Sequence, residues 1–181
     1  VPPEVVVTIG APAAAFYLRN RARLFPAAPL VLGSLDARLV PHSQLRAGDA
    51  AVANRLDLPV LIDNILALLP DTRTIVVVLG ASELERFWQT QLKHELAPFM
   101  DRIRFEWTSD LSLAQIKERV ANLPPHSAVL YGVMVVDAAG IPHQRLDALA
   151  TLYAVANAPI FGPFEAEMGN GVVGGPYASQ R

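Results

Sequence analysis

Two kinds of apolar pattern alternate along this chain. Short strand-like stretches rich in apolar residues occur at Glu4–Ile9, Leu30–Leu32, Ile75–Leu79, Ile103–Trp107, Ala128–Val136 and Pro159–Phe161, and Ile75–Leu79 is an unbroken run. Between them, apolar residues recur every three or four positions over Ala13–Phe25, Leu56–Leu69, Ser82–Phe99, Ser112–Leu123 and His143–Asn157. The runs suit strands buried on both faces of a parallel sheet, and the longer period suits helices packed on it. From Leu56 onward the order is α-β-α-β-α-β-α-β. Such alternation predicts an α/β fold with a doubly wound parallel sheet and helices on both faces.

The stretch Thr74–Phe99 shows the unit most clearly. Ile75-Val76-Val77-Val78-Leu79 is a strand, and Gly80-Ala81 turns the chain. Ser82 and Glu85 stand at capping-box spacing, so the Ser oxygen can accept the third helical N–H and the Glu can accept the cap N–H. Leu84, Trp88, Leu92 and Leu96 then mark one helical face. Ser112 and Gln115 repeat the capping box. In open α/β sheets a turn of this kind lies at the carboxyl end of a strand, where ligands bind.

The first helix is expected to bury Phe16, Tyr17, Leu24 and Phe25 and to wet Arg19, Arg21 and Arg23. Asp36–Asn54 has no helical period and contains Pro41, Gly48 and Asp49. It reads as a linker between two lobes, with a short strand at Ala50–Ala53. The expected division is 1–55, a partial lobe with its linker, and 56–181, a complete lobe with a return crossing.

Composition narrows the function classes. Of 181 residues 52% are hydrophobic, which allows a large core and argues against disorder. A formal charge of −2 gives no electrostatic case for nucleic acid or an anionic membrane surface. The absence of cysteine excludes disulfides and thiolate metal sites. No apolar run approaches the ~20 residues that span a bilayer. A start at Val1, directly before a strand and without a leader pattern, suggests a piece of a longer protein.

Candidate chemistry is sparse. Gly169-Asn170-Gly171-Val172-Val173-Gly174 matches GxGxxG, but Gly175-Pro176 follows where the fingerprint needs a helix. A glycine-rich crossing loop is the better reading. His42, His94, His126 and His143 are scattered surface candidates, and neither a metal site nor a cofactor is expected. Glu165 and Glu167 straddle Ala166, and paired carboxylates can do acid–base work. No His or Lys near them in sequence supports catalysis. Trp88 is expected to pack on the sheet. Phe87, Tyr131 and Phe164 lie near turns or strand ends, where aromatic rings line small-molecule sites.

The segments NILALLPDTRTIVVVLGASE (64–83), SLAQIKERVANLP (112–124), AVLYGVMV (128–135) and ANAPIFGPFEAEMGNGVVGG (156–175) resemble the solute-binding proteins of ABC transporters with the type I periplasmic-binding fold. GASELERFW (80–88) and PIFGPFEAEMGNGVVGG (159–175) resemble most closely the versions used as extracytoplasmic sensor domains of bacterial histidine kinases. The resemblance implies two Rossmann-like lobes with ligand held in a cleft between them. It implies a non-enzymatic, periplasmic binding domain for an amino acid or another small organic solute, in a two-component sensor or a transport receptor. Any membrane attachment would come through flanking segments. The implied ligand contacts are the strand-end turns: Gly10, Ala11, Gly33, Ser34, Gly80, Ala81, Ser82, Glu83, Phe87, Tyr131, Phe164 and Glu165. An α/β enzyme using Glu165 or Glu167 is the competing class. Relative to the family, the earlier strands of the first lobe are missing. Strands 4–9 and 30–32 should then lack a neighbour, and open edges predict a homodimer through residues 1–35.

Overall fold

In the computed structural model, which describes residues 1–175, the alternating pattern resolves into two separate parallel sheets. The first unit comprises Val1–Leu56 and the second begins at Asp57.

The first unit contains β1 (Val6–Ile9), α1 (Ala11–Leu24), β2 (Leu30–Asp36) and β3 (Ala50–Asn54). The sheet order is β1-β2-β3, with both pairs parallel. Gly10 makes the turn from β1 into α1 at φ 80°, a conformation open to glycine. The 36–54 stretch is therefore not a crossing linker. Two short 3-10 turns fold it back, and β3 pairs with β2. That also corrects the expected edges: β2 is flanked on both sides, and β1 and β3 carry the open edges.

The buried side of α1 differs from the apolar reading. Ala14, Tyr17 and Arg21 face inward, and Phe16, Leu24 and Phe25 are exposed. The reason is an ion pair that the local period does not reveal. Arg21 donates to both Asp49 oxygens at 2.6 and 2.8 Å and to the Ala28 carbonyl at 2.8 Å. Asp49 also accepts the N–H groups of Leu30 and Arg46. One carboxylate thus ties α1, the start of β2 and the turn before β3. The opposite face of the sheet leaves Val7, Ile9 and Val52 exposed.

The second unit contains α2 (Leu58–Leu68), β4 (Thr74–Val78), α3 (Glu83–Glu95), β5 (Arg104–Trp107), α4 (Leu113–Ala121), β6 (Ser127–Tyr131), α5 (Arg145–Tyr153) and β7 (Ile160–Phe161). All strands are parallel, in the order β5-β4-β6-β7. This is the Rossmann-like doubly wound arrangement that the alternation predicts. Every residue of β4 and β6 is buried, as two-sided coverage requires. Ile116, Val120, Leu149 and Leu152 pack on Val76, Val78 and Val129. Both capping boxes form. β6 and α5 are shorter than their apolar patterns, and the segment after Tyr131 leaves the sheet to be held by backbone bonds from Gly80 and Ala81 and by Glu85.

Replacing Asp49 with Ala should destabilise the first unit by about 3–5 kcal/mol, since Arg21 would be left buried and unpaired. The Arg21 hydrogen bonds hold the Asp49 carboxyl well below its ordinary range. Its contribution is therefore present above about pH 4 and is lost as pH falls below that value. Native-state hydrogen exchange of the β2 amides checks both points. Unchanged protection in Asp49→Ala would show that the pair is dispensable.

Candidate functional site

The carboxyl ends of β4, β6 and β7 lie side by side in the second sheet, and the chain after each is built differently. After β4, Gly80 donates to the Val133 carbonyl at 2.9 Å and Ala81 to the Val136 carbonyl at 2.7 Å. The Ser82 N–H donates to Glu85 Oε2 at 2.8 Å. Glu85 is fully buried, and its other oxygen accepts the Val135 N–H at 2.6 Å. A Cβ at Gly80 would overlap Glu85 Oε1 and the Val136 carbonyl, so only glycine lets this turn close. The N–H groups of Gly80, Ala81 and Ser82, in a turn expected to contact ligand, are thus all engaged internally.

After β6, Asp137 organises the chain. Its carboxylate accepts the N–H groups of Leu113, Ala139 and Ile141 and meets His143 Nε2 at 3.1 Å. Burial opposes its charge, yet these N–H donors and His143 outweigh burial and hold it at about 2. His143 is therefore a half-buried partner of Asp137 and not a free surface histidine.

After β7, Phe161, Gly162 and Pro163 are buried, and a 3-10 turn at Glu165–Glu167 follows. Glu167 is fully buried, and neither carboxyl oxygen has a hydrogen-bond partner of ordinary geometry. Its side chain lies against the Gly162 Cα, where a Cβ would overlap Oε2. The nearest cation is Arg145, with Nη1 at 3.8 Å from Oε1. The Arg145 guanidinium also sits 4.1 Å over the half-buried Phe164 ring, the range of a cation–π contact. Beneath it, Tyr131 donates its hydroxyl to the Arg145 carbonyl at 2.7 Å. Burial pushes Glu167 up to about 7, against smaller opposing effects of the Arg145 charge and the Phe164 N–H. Burial, together with the neighbouring Glu167, raises Tyr131 as well.

The expected site residues fall into separate places. Gly10 and Gly33 are joined by the hydrogen bond from the Gly10 N–H to the Gly33 carbonyl, with Ala11 next to them. Ser34 is exposed on the irregular part of β2 and holds φ 55°, a strained value for a non-glycine residue. In the second unit Gly80, Ala81, Ser82 and Glu83 form the turn into α3, with Glu83 exposed. Phe87 packs edge-on against Trp88 at 5.5 Å. Tyr131 is core, with no exposed surface on its ring, and Glu165 is exposed. Phe164 is brought under the Arg145 guanidinium.

Arg145 was invisible to sequence reasoning because it lies far from Phe164 and Glu167 along the chain. A carboxyl within a glycine-rich segment after a buried strand was the available signal. The GxGxxG stretch forms a loop in which Val172 bridges to Ile160 and Met168, and residues through Gly175 form no helix. Among the described residues no group of three or more His, Asp or Glu could hold a metal ion. A groove of about 520 Å³ lies at the opposite, amino end of the strands, lined by Leu68, Pro124 and Asn157. Its Thr72, Ser127 and Asn157 side chains are engaged with backbone groups, and exposed Asp71 and His126 also line it.

Two stability measurements test this construction. Gly80→Ala should cost about 1–3 kcal/mol from overpacking against Glu85 and the Val136 carbonyl. For Glu167 the folded carboxyl titrates at about 7 against 4.5 when unfolded, so the stability tied to its neutral form is complete below about pH 4.5. It declines as pH rises through about 7, by on the order of 3 kcal/mol. Glu167→Gln should flatten this limb in urea titrations. An unaltered pH slope in that variant would remove Glu167 as its source.

No protein-family model matches the chain, and no curated protein matches it. Two solved structures share its fold. A conserved domain protein from Vibrio cholerae O1 biovar El Tor superposes with a TM-score of 0.63 at 17% identity, covering 94% of this chain and 56% of that one. An ABC domain from Streptococcus pneumonia, solved in complex with L-Trp, gives a TM-score of 0.58 at 20% identity, covering 90% of this chain and 55% of that one. The chain thus spans about half the length of each of the solved structures it matches, and what it shares with them is the α/β fold.

Proposed function

We propose that this chain is part of a non-catalytic receptor for a small organic solute of the amino-acid class. The observation that carries the reading is the Arg145–Phe164 pair at the carboxyl end of β7, on a fold shared with a protein solved holding L-Trp. A guanidinium lying on an aromatic face offers donors for a carboxylate beside an apolar surface for a side chain. Glu165 is exposed and Glu167 is fully buried. Glu167 is closed to solvent and so out of reach of a substrate as one member of a catalytic pair, which favours binding over turnover.

In its finer form the proposal places the domain outside the cytoplasmic membrane, as the sensory part of a signalling protein such as a histidine kinase. Its support is the resemblance of segments 80–88 and 159–175 to such sensors. A stand-alone transport receptor is the second reading, favoured by the ABC-domain neighbour.

Thermal unfolding with a panel of L-amino acids and small carboxylic acids tests the receptor reading. A true ligand at a hundredfold excess over Kd should add about 2.7 kcal/mol of stability, with the ligand recovered unchanged. A panel with no stabilising member, or one member converted to product, would overturn the reading.

A further inference from the structure

Among the described residues Glu167 is a fully buried carboxyl with both oxygens short of a hydrogen-bond partner. A buried polar group in that state is costly, and a charged one more so, unless a partner moves in. The groups facing it are few. Arg145 faces it from α5 at 3.8 Å, and the Tyr131 hydroxyl, on β6, is already donated to the Arg145 carbonyl. Glu85 contributes negative charge near Tyr131, and Glu165 on the same turn is exposed. Arg145 is thus the cation within reach. It has two attractions to divide between, the Phe164 ring and the Glu167 carboxyl.

Arg145 is also placed to meet a solute. Its side chain is about a third exposed, whereas Glu167 below it is closed to solvent. With Glu167 neutral, an inward move would gain the guanidinium only an ordinary hydrogen bond to a neutral carboxyl, without charge attraction, and its outer edge stays available. With Glu167 ionised, a buried carboxylate that has only the weak pull of the Phe164 N–H draws the same guanidinium into a charge-assisted pair.

We propose that Arg145 is the carboxylate-binding residue of this module and that Glu167 is a buried positioning residue, whose neutral form presents Arg145 to the ligand and whose ionised form withdraws it. This deepens the receptor reading and rests on it. It assigns the ligand a carboxylate and makes its capture proton-linked. Only the Glu167-neutral fraction is competent, so apparent affinity scales with that fraction. The raised titration of Glu167, at about 7, puts the change in the neutral range.

The test uses L-tryptophan and its carboxylate-free amide as probes, with binding measured by calorimetry. Wild-type protein should bind L-tryptophan roughly tenfold more tightly at about pH 6 than at about pH 8. It should discriminate against the amide. Glu167→Gln, nearly isosteric, should keep the tight value at both pH values. Arg145→Ala should lose the discrimination against the amide, with Arg145→Lys restoring part of it. A second readout needs no ligand. The Arg145 Nε–H resonance should titrate with a midpoint near that of the Glu167 carboxyl in wild-type protein and stay flat in Glu167→Gln.

PH-independent binding in the wild type, or the same pH dependence in Glu167→Gln, would overturn the positioning role. Equal binding of L-tryptophan and the amide would overturn the carboxylate role. No binding of either probe, with the Arg145 resonance titrating normally, would count against the receptor reading for this ligand class and leave the proton-linked pairing of the two side chains standing. A flat Arg145 resonance in the wild type would overturn that pairing whatever the probes do.

Discussion

A single buried carboxyl group, that of Glu85, lets two crossover connections close on each other. It accepts the Ser82 N–H at the start of its own helix and the Val135 N–H from the segment after β6. Gly80 leaves the room that this needs, since any side chain there would collide with the same oxygen. Loops at the carboxyl end of a parallel sheet have few backbone partners of their own. Here a helix-capping residue doubles as the anchor of a neighbouring loop, and Asp137 plays the same part for the turn before α5. The site at the end of β7 is thus carried on connections fixed by carboxylates.

Against that background Glu167 is an exception. Glu85 and Glu167 are the same residue type and both are fully buried. One has an N–H donor on each oxygen, and the other makes no hydrogen bond of ordinary geometry on either. Geometry of the first kind builds a scaffold. The second kind stores unfavourable free energy at one point, and such points are where function tends to be found. The Arg145 and Phe164 side chains beside it give that point a recognisable chemistry.

Much of the second unit was legible in the sequence. The unbroken runs identified β4, β6 and β7, where burial leaves no polar position to confuse the pattern, whereas the edge strand β5 alternates Arg104 and Glu106 with Phe105 and Trp107. The two capping boxes fixed the starts of α3 and α4, since their spacing has a direct geometric meaning. The first unit was harder. Its strand β3 is AAVAN, a weak apolar signal, and its helix turns an arginine inward toward Asp49. A partner 28 residues away leaves no mark on local periodicity. The same holds for the site. Phe164 could be picked out as an aromatic ring near a strand end, whereas Arg145 and Glu167 come together only through the fold. Tyr131 was misleading for the opposite reason: a ring at a strand end can be wholly part of the core, and here its hydroxyl is used to hold the Arg145 backbone.

The all-parallel pairing of β4 also has a consequence in time. Thr74 is paired with Arg104 on one side and with Ser127 on the other. No hairpin can protect either edge, because parallel partners need a full crossover between them. During synthesis at about 5–20 residues per second, the edge awaiting β6 stays open for roughly 3–10 s after β4 emerges. Throughout that interval an uncharged TIVVV segment is exposed beside other nascent chains. Such a strand is a template for wrong pairing. Completion of the sheet therefore competes with wrong pairing at that edge, a competition that lower temperature or a holdase chaperone is expected to tilt toward the fold.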